Sequence, residues 1–167
     1  YMYSTGASGN LGGELYAFQC YRSKNLSEWS LAGGYEQGYS LKVTPEDWMS
    51  LDEVTQWAPE VIRNPKDGKY YMYGMYPCSL ENGGYACYVS DDLLYWEEEP
   101  HDVFLKTWDG SFEGTSCFWA PEVHEYKGRY YLFGSYQSAE TGRRGTSVFV
   151  ADDPLGPFEE LSDGHIT

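Results

Sequence analysis

Two glutamates stand in identical surroundings: Trp57-Ala58-Pro59-Glu60-Val61 returns 62 residues later as Trp119-Ala120-Pro121-Glu122-Val123. Two carboxyl groups brought to one cavity can do acid/base work. A protonated one assists a leaving oxygen while the other activates water, and cleavage of a glycosidic bond sets them roughly 6.5–9.5 Å apart for inversion or about 5–5.5 Å for retention. Glu60 and Glu122 are therefore the candidate catalytic carboxylates. A glutamate present in every unit equally suits a structural peg between units, because interior charge must be paired. Trp57 and Trp119 offer flat faces that could stack on the C–H face of a sugar ring, with core packing as the competing use of any large aromatic. His124 lies two residues past Glu122 and shares its side of an alternating strand, so Trp57, Trp119, Glu122 and His124 form the candidate substrate-binding set.

Other chemistries find little support. His101, His124 and His165 are too scattered for a metal cluster, and Cys20, Cys78, Cys87 and Cys117 show no CxxC spacing, so no metal site is expected. Cys20 and Cys87 fall within expected strands and read as buried free thiols rather than a disulfide. Asp91-Asp92 and Asp152-Asp153 read as solvated turns, and Glu113-Gly114 as an unremarkable loop dipeptide. No Gly-rich phosphate loop, nucleophile elbow or zinc helix is present. With 26 acidic and 11 basic residues the formal charge is −15, which would repel a phosphate backbone and sets nucleic acid aside as a partner. No apolar run approaches the roughly 20 residues that span a bilayer, so no membrane partner is expected, and neither end carries a signal-peptide pattern.

The elements that must position these residues repeat with them. Gly68-Lys69-Tyr70-Tyr71-Met72-Tyr73-Gly74 is matched by Gly128-Arg129-Tyr130-Tyr131-Leu132-Phe133-Gly134, and Tyr1-Met2-Tyr3-Ser4 reads as the tail of a third copy. A later element, Tyr21 to Trp29, returns as Tyr88 to Trp96 and as Phe149 to Phe158. One unit reads as four strands, Pro59 to Ile62, Lys69 to Tyr76, Tyr85 to Ser90 and Trp96 to Glu99, parted by Asp-Gly, Asn-Gly-Gly and Asp-Asp turns. Aromatics at 18% and 19 glycines suit such short strands and tight turns. Four-stranded units at a period near 60 describe an all-β propeller, against the alternative of a β-sandwich, which needs no period.

The expected division is an incomplete first blade over 1–40, a second blade with its linker over 41–104 and a third over 105–167, about two and a half to three blades in all. The spans from Gly33 to Gln56 and from Pro100 to Cys117 become loops, carrying Tyr35, Tyr39, Trp48 and Trp108. Residues Ser162 to Thr167 echo Ser40 to Thr44, as though another linker and blade should begin there. A cut propeller exposes blade edges, so self-association through them is expected.

These residues resemble glycoside hydrolase family 43, whose members are five-bladed propellers. The resemblance rests on Phe118-Trp119-Ala120-Pro121-Glu122-Val123-His124, on Gly128 to Phe133, on Tyr88 to Trp96 and on Ala151-Asp152-Asp153-Pro154-Leu155-Gly156-Pro157-Phe158, and it runs across nearly the whole chain. It implies inverting hydrolysis of arabinose- or xylose-containing plant polysaccharides (arabinan, arabinoxylan), an oligo- or polysaccharide partner, calcium in the central channel of many members, and an exported, secreted or periplasmic protein. It also implies a base in an Asp-Pro motif, a second Asp that tunes the acid, and an acid in a Glu-Gly-Pro motif. Ala58 and Ala120 stand where the Asp-Pro aspartate would be, so the full carboxylate set is expected to be missing here. A non-catalytic carbohydrate-binding propeller is the alternative.

Overall fold

The computed structural model describes residues 1–5, 8–43, 57–76, 84–98, 114–162 and 164–166. The described residues form three antiparallel sheets. The first contains β1 (Met2–Tyr3), β2 (Ser8–Leu11), β3 (Glu14–Arg22), β4 (Ser30–Leu31) and β5 (Tyr39–Val43); the second β6 (Trp57–Arg63), β7 (Tyr70–Tyr76), β8 (Gly84–Ser90) and β9 (Glu97–Glu98); the third β10 (Gly114–Tyr126), β11 (Arg129–Ser138), β12 (Arg144–Ala151) and β13 (Glu159–Glu160). In the second and third, strand order follows the chain, β6-β7-β8-β9 and β10-β11-β12-β13, as a propeller blade requires.

Local sequence explains the hairpins. Gly12-Gly13 and Lys127-Gly128 occupy two-residue turns with both residues at positive φ, the geometry that matches the twist of the flanking strands. Between β6 and β7 the turn is longer: the Asn64 side chain accepts from the Lys66 N–H and donates to Asp67, whose other oxygen accepts from the Lys69 N–H.

The first sheet departs from expectation. A domain boundary at residue 40/41 would fall inside β5, yet β5 pairs with the N-terminal half of β3 and belongs to the first sheet. The cause lies in β3, where Phe18 sits at φ 55 and bends the strand, so that β2 and β5 flank one half while β1 and β4 flank the other. Leu41 and Val43 are buried there, and Ser40 accepts the Trp96 N–H at 2.9 Å, stitching the first sheet to the second.

Alternation along the strands sends successive side chains to opposite blade faces, and both faces of the second blade are covered. Met72, Ala86 and Tyr88 pack with Leu15, Ala17, Phe18, Leu41 and Trp96 in one cluster. Tyr71, Tyr73, Tyr85 and Cys87 pack with Phe118, Val123, Leu132, Tyr136 and Phe149 in the other. Tyrosine suits this architecture because a large apolar ring fills the gap between sheets while its hydroxyl reaches the neighbouring blade. Tyr73 donates to Pro154 O (2.6 Å), Tyr85 to Ser135 O (2.7 Å), and Tyr130 to Asn64 Oδ1 (2.6 Å). Gly134 is required for the second of these, since a Cβ there would meet the Tyr85 hydroxyl at 2.6 Å. Cys20 and Cys87 are buried and in no disulfide. No helix among the described residues is long and apolar enough to cross a membrane.

Candidate functional site

Both Trp-Ala-Pro-Glu strands carry the same bulge. From Trp57 to Glu60 three steps of β6 oppose two of β7 (Met75 to Tyr73), and from Trp119 to Glu122 three steps of β10 oppose two of β11 (Ser135 to Phe133). The extra residue is the alanine, held in left-handed backbone at φ 48 in Ala58 and φ 42 in Ala120. The following proline has no N–H to lose from the interrupted ladder. Thr5 Oγ1 accepts the Ala58 N–H at 2.8 Å, so the first blade supports the bulge of the second. A bulge re-aims the side chains that flank it, here a tryptophan on one side and a glutamate on the other.

The charge of the third blade's glutamate reaches the glutamate of the second. The Glu60 carboxyl is pushed above the ordinary glutamate value, first by partial burial and second by the negative charge of Glu122, with His124 opposing the rise. Glu122 Oε1 lies 2.8 Å from His124 Nε2, and both side chains are well exposed. The His124 ring meets Phe133 edge-on at 6.1 Å. The arrangement is asymmetric: a half-buried carboxyl that keeps its proton to higher pH stands near an open carboxylate with an imidazole beside it. That pairing can donate to one sugar oxygen and accept from another.

The tryptophans differ in company. Trp57 is 45% exposed and Trp119 38%, so neither is a core residue. The Arg144 guanidinium lies over the Trp119 ring, Cζ 4.5 Å from the centroid, and occupies one indole face. Nothing in the spacing marks Arg144, because it comes from β12, whereas the tandem motif made the glutamates and tryptophans visible.

The other sequence candidates fall elsewhere. Tyr39 is buried, and Tyr35 packs against Tyr16 and Tyr95 at 5.3 and 5.1 Å, so these loop aromatics serve packing in the first sheet. His165 meets the Tyr136 ring edge-on at 4.5 Å, away from the Glu122–His124 pair. Asp92 accepts the N–H groups of Leu94 and Tyr95, which outweigh its desolvation and hold its carboxyl below the usual range; Asp153 accepts that of Leu155. Trp48, Cys78, His101, Trp108 and Glu113 lie outside the described residues. Among the described residues no three His, Cys, Asp or Glu side chains gather as metal ligands.

The family described as Glycosyl hydrolases family 43 matches residues 74–166. No curated protein matches. Among solved structures, an endo-arabinase from Bacteroides thetaiotaomicron is 37% identical, with 66% of this chain and 36% of that chain covered and a TM-score of 0.53. A thermostable family-43 glycoside hydrolase is 26% identical over 64% of this chain and 32% of its own, TM-score 0.54. Zg3597, a family 117 glycoside hydrolase from Zobellia galactanivorans, is 22% identical and shares the fold over 88% of this chain and 40% of its own, TM-score 0.59. The chain spans about a third of the length of the first two. The three sheets are blades of a five-bladed β-propeller.

Proposed function

Because the chain belongs to glycosyl hydrolase family 43, we propose that the protein it forms hydrolyses glycosidic bonds in arabinose- or xylose-containing plant polysaccharides with inversion, and that these blades build part of the wall that holds the sugar. The observation that carries this reading is that Glu60 and Glu122 are delivered by equivalent bulged strands of adjacent blades, β6 and β10, that pack against each other, each beside an exposed tryptophan. A polymeric substrate of this kind also implies an exported protein.

In this reading each residue has a binding task. Trp57 supplies an open stacking face. Glu60, partly desolvated, offers its carboxyl oxygens to one sugar hydroxyl, and Glu122 with His124 accepts and donates at neighbouring hydroxyls. Inverting displacement needs a base-activated water on one face of the sugar and a protonated carboxyl at the leaving oxygen. The Ala58 and Ala120 methyls cannot serve as base, so that role falls to an aspartate beyond these strands. The same alanines favour the second reading, a propeller that binds carbohydrate without cleaving it.

Calorimetric titration of the chain with neutral arabino- and xylo-oligosaccharides tests the proposal. Saturable binding is expected, weakened about tenfold by Trp57→Ala, the scale of one lost aromatic contact. The absence of binding to both sugars would overturn it. The isolated chain is expected to release nothing from aryl arabinofuranosides or xylosides; release that disappears in Glu122→Gln would place the catalytic base within these blades.

A further inference from the structure

The hairpin joining β11 to β12 carries two adjacent arginines, Arg143 and Arg144, both exposed, in a chain whose formal charge is −15. The hairpin is internally satisfied: Ser138 N–H donates to Arg143 O, Gly142 N–H to Ser138 O, and Arg143 N–H to Thr141 Oγ1. Its backbone does not draw on the guanidinium groups. Topology places it at the same end of the blade as Trp119, since β10 passes Trp119 opposite Ser135 while β12 begins with Arg144 opposite Gln137.

Arg144 is held differently from Arg129, on the neighbouring strand of the blade. Arg129 Nε donates to Asp152 Oδ1 at 2.7 Å, an ordinary surface ion pair. Arg144 has no carboxylate partner among the described residues and instead lies on Trp119. Stacking occupies the flat face of a guanidinium and leaves its N–H edge as donors in one plane, the geometry that grips a carboxylate through two parallel hydrogen bonds. A neutral pentose offers such a fork only hydroxyl and ring oxygens; a sugar bearing a carboxylate offers two charged oxygens at the matching spacing. An acidic protein surface otherwise repels such a sugar, which makes a cation braced on an exposed indole, with no carboxylate partner among the described residues, the local exception.

We propose that Arg144, braced on Trp119, is a subsite for the carboxylate of a uronic acid, so that the sugar-binding wall prefers saccharides carrying acidic branches over neutral ones. The inference rests on the carbohydrate-binding reading above, and the experiment separates the two. The chain is titrated with a glucuronic-acid-substituted xylo-oligosaccharide and with the same oligosaccharide after reduction of its carboxyl to an alcohol. The acidic form is expected to bind about fivefold more tightly at low ionic strength, the yield of one solvent-accessible ion pair, with the preference shrinking as salt is added. Arg144→Gln is expected to erase the preference, read as the ratio of the affinities for the acidic and the reduced saccharide. Arg144→Lys keeps the charge but loses the fork, and should retain less than half of the preference. Arg143→Gln changes net charge identically and should retain most of it. Equal affinity of the native chain for the two saccharides, or equal losses in Arg143→Gln and Arg144→Gln, overturns the subsite while leaving the carbohydrate wall standing. If neither saccharide binds, both proposals fall together.

Discussion

The first strands of the second and third blades carry the same five residues folded into the same bulge, yet the chemistry at the two copies differs. In the second blade the residue two beyond the glutamate is Ile62, and Glu60 is half-buried with its carboxyl pushed upward. In the third blade that position is His124, and Glu122 stands open with the imidazole 2.8 Å away. The ladder partners diverge in the same manner. Tyr73 opposite Glu60 is fully buried against the third blade, whereas Phe133 opposite Glu122 is 36% exposed. A repeated motif thus specifies a backbone shape, and what covers the blade decides what its side chains can do.

The contrast in burial yields the largest expected effect. Tyr73→Ala removes a ring from the interface between blades and strands the Pro154 carbonyl, and should destabilise the chain by about 3–5 kcal/mol in denaturant unfolding. Phe133→Ala, at the equivalent ladder position, should cost about 1 kcal/mol or less, because much of that ring is already in water. Equal costs would mean that Phe133 is as covered as Tyr73 and would dissolve the distinction between the two faces.

Where the blades are alike, they should respond alike. Ala58 and Ala120 both occupy left-handed backbone, which a β-branched side chain tolerates poorly. Ala58→Val and Ala120→Val should each destabilise by about 2 kcal/mol, the two agreeing to within about 0.5 kcal/mol. A large difference would show that one bulge is imposed by its neighbours, with the Thr5 contact to Ala58 as the first suspect.

The legibility of the molecule follows the same division. The blades could be read because their strands are long, apolar on both faces and parted by turn residues whose backbone needs are specific, such as Lys127-Gly128. The equivalence of Glu60 and Glu122 could be read because tandem repetition places them at the same ladder position of their strands, opposite Tyr73 and Phe133. The bend at Phe18 was hidden, since no glycine or proline marks it, and with it the membership of β5 in the first sheet. Arg144 was hidden for another reason: its partner Trp119 is 25 residues away in the sequence and meets it only across the sheet. Local pattern reports what a strand is, and says little about which side chain from a third strand will lean on it.

The smallest effect is the sharpest test of the asymmetry between the carboxyl groups. In the folded chain Glu60 binds its proton more tightly than an unfolded glutamate does, so its protonation favours the folded state. That contribution is complete below the ordinary carboxylate range and is lost as pH rises through the elevated folded value, above which an ionised, partly desolvated Glu60 opposes folding. Glu60→Gln should therefore match the parent in melting temperature at about pH 3 and exceed it by a growing margin toward pH 7, with no such trend if Glu60 is as solvated as a free side chain. Carboxyl-carbon NMR can assign the cause. Glu122→Gln removes the negative neighbour and should lower the Glu60 midpoint, while His124→Gln removes the opposing cation and should raise it. Shifts in those opposite directions require both third-blade side chains to act on a carboxyl of the second blade; a midpoint indifferent to both would separate the two glutamates and leave each to its own blade.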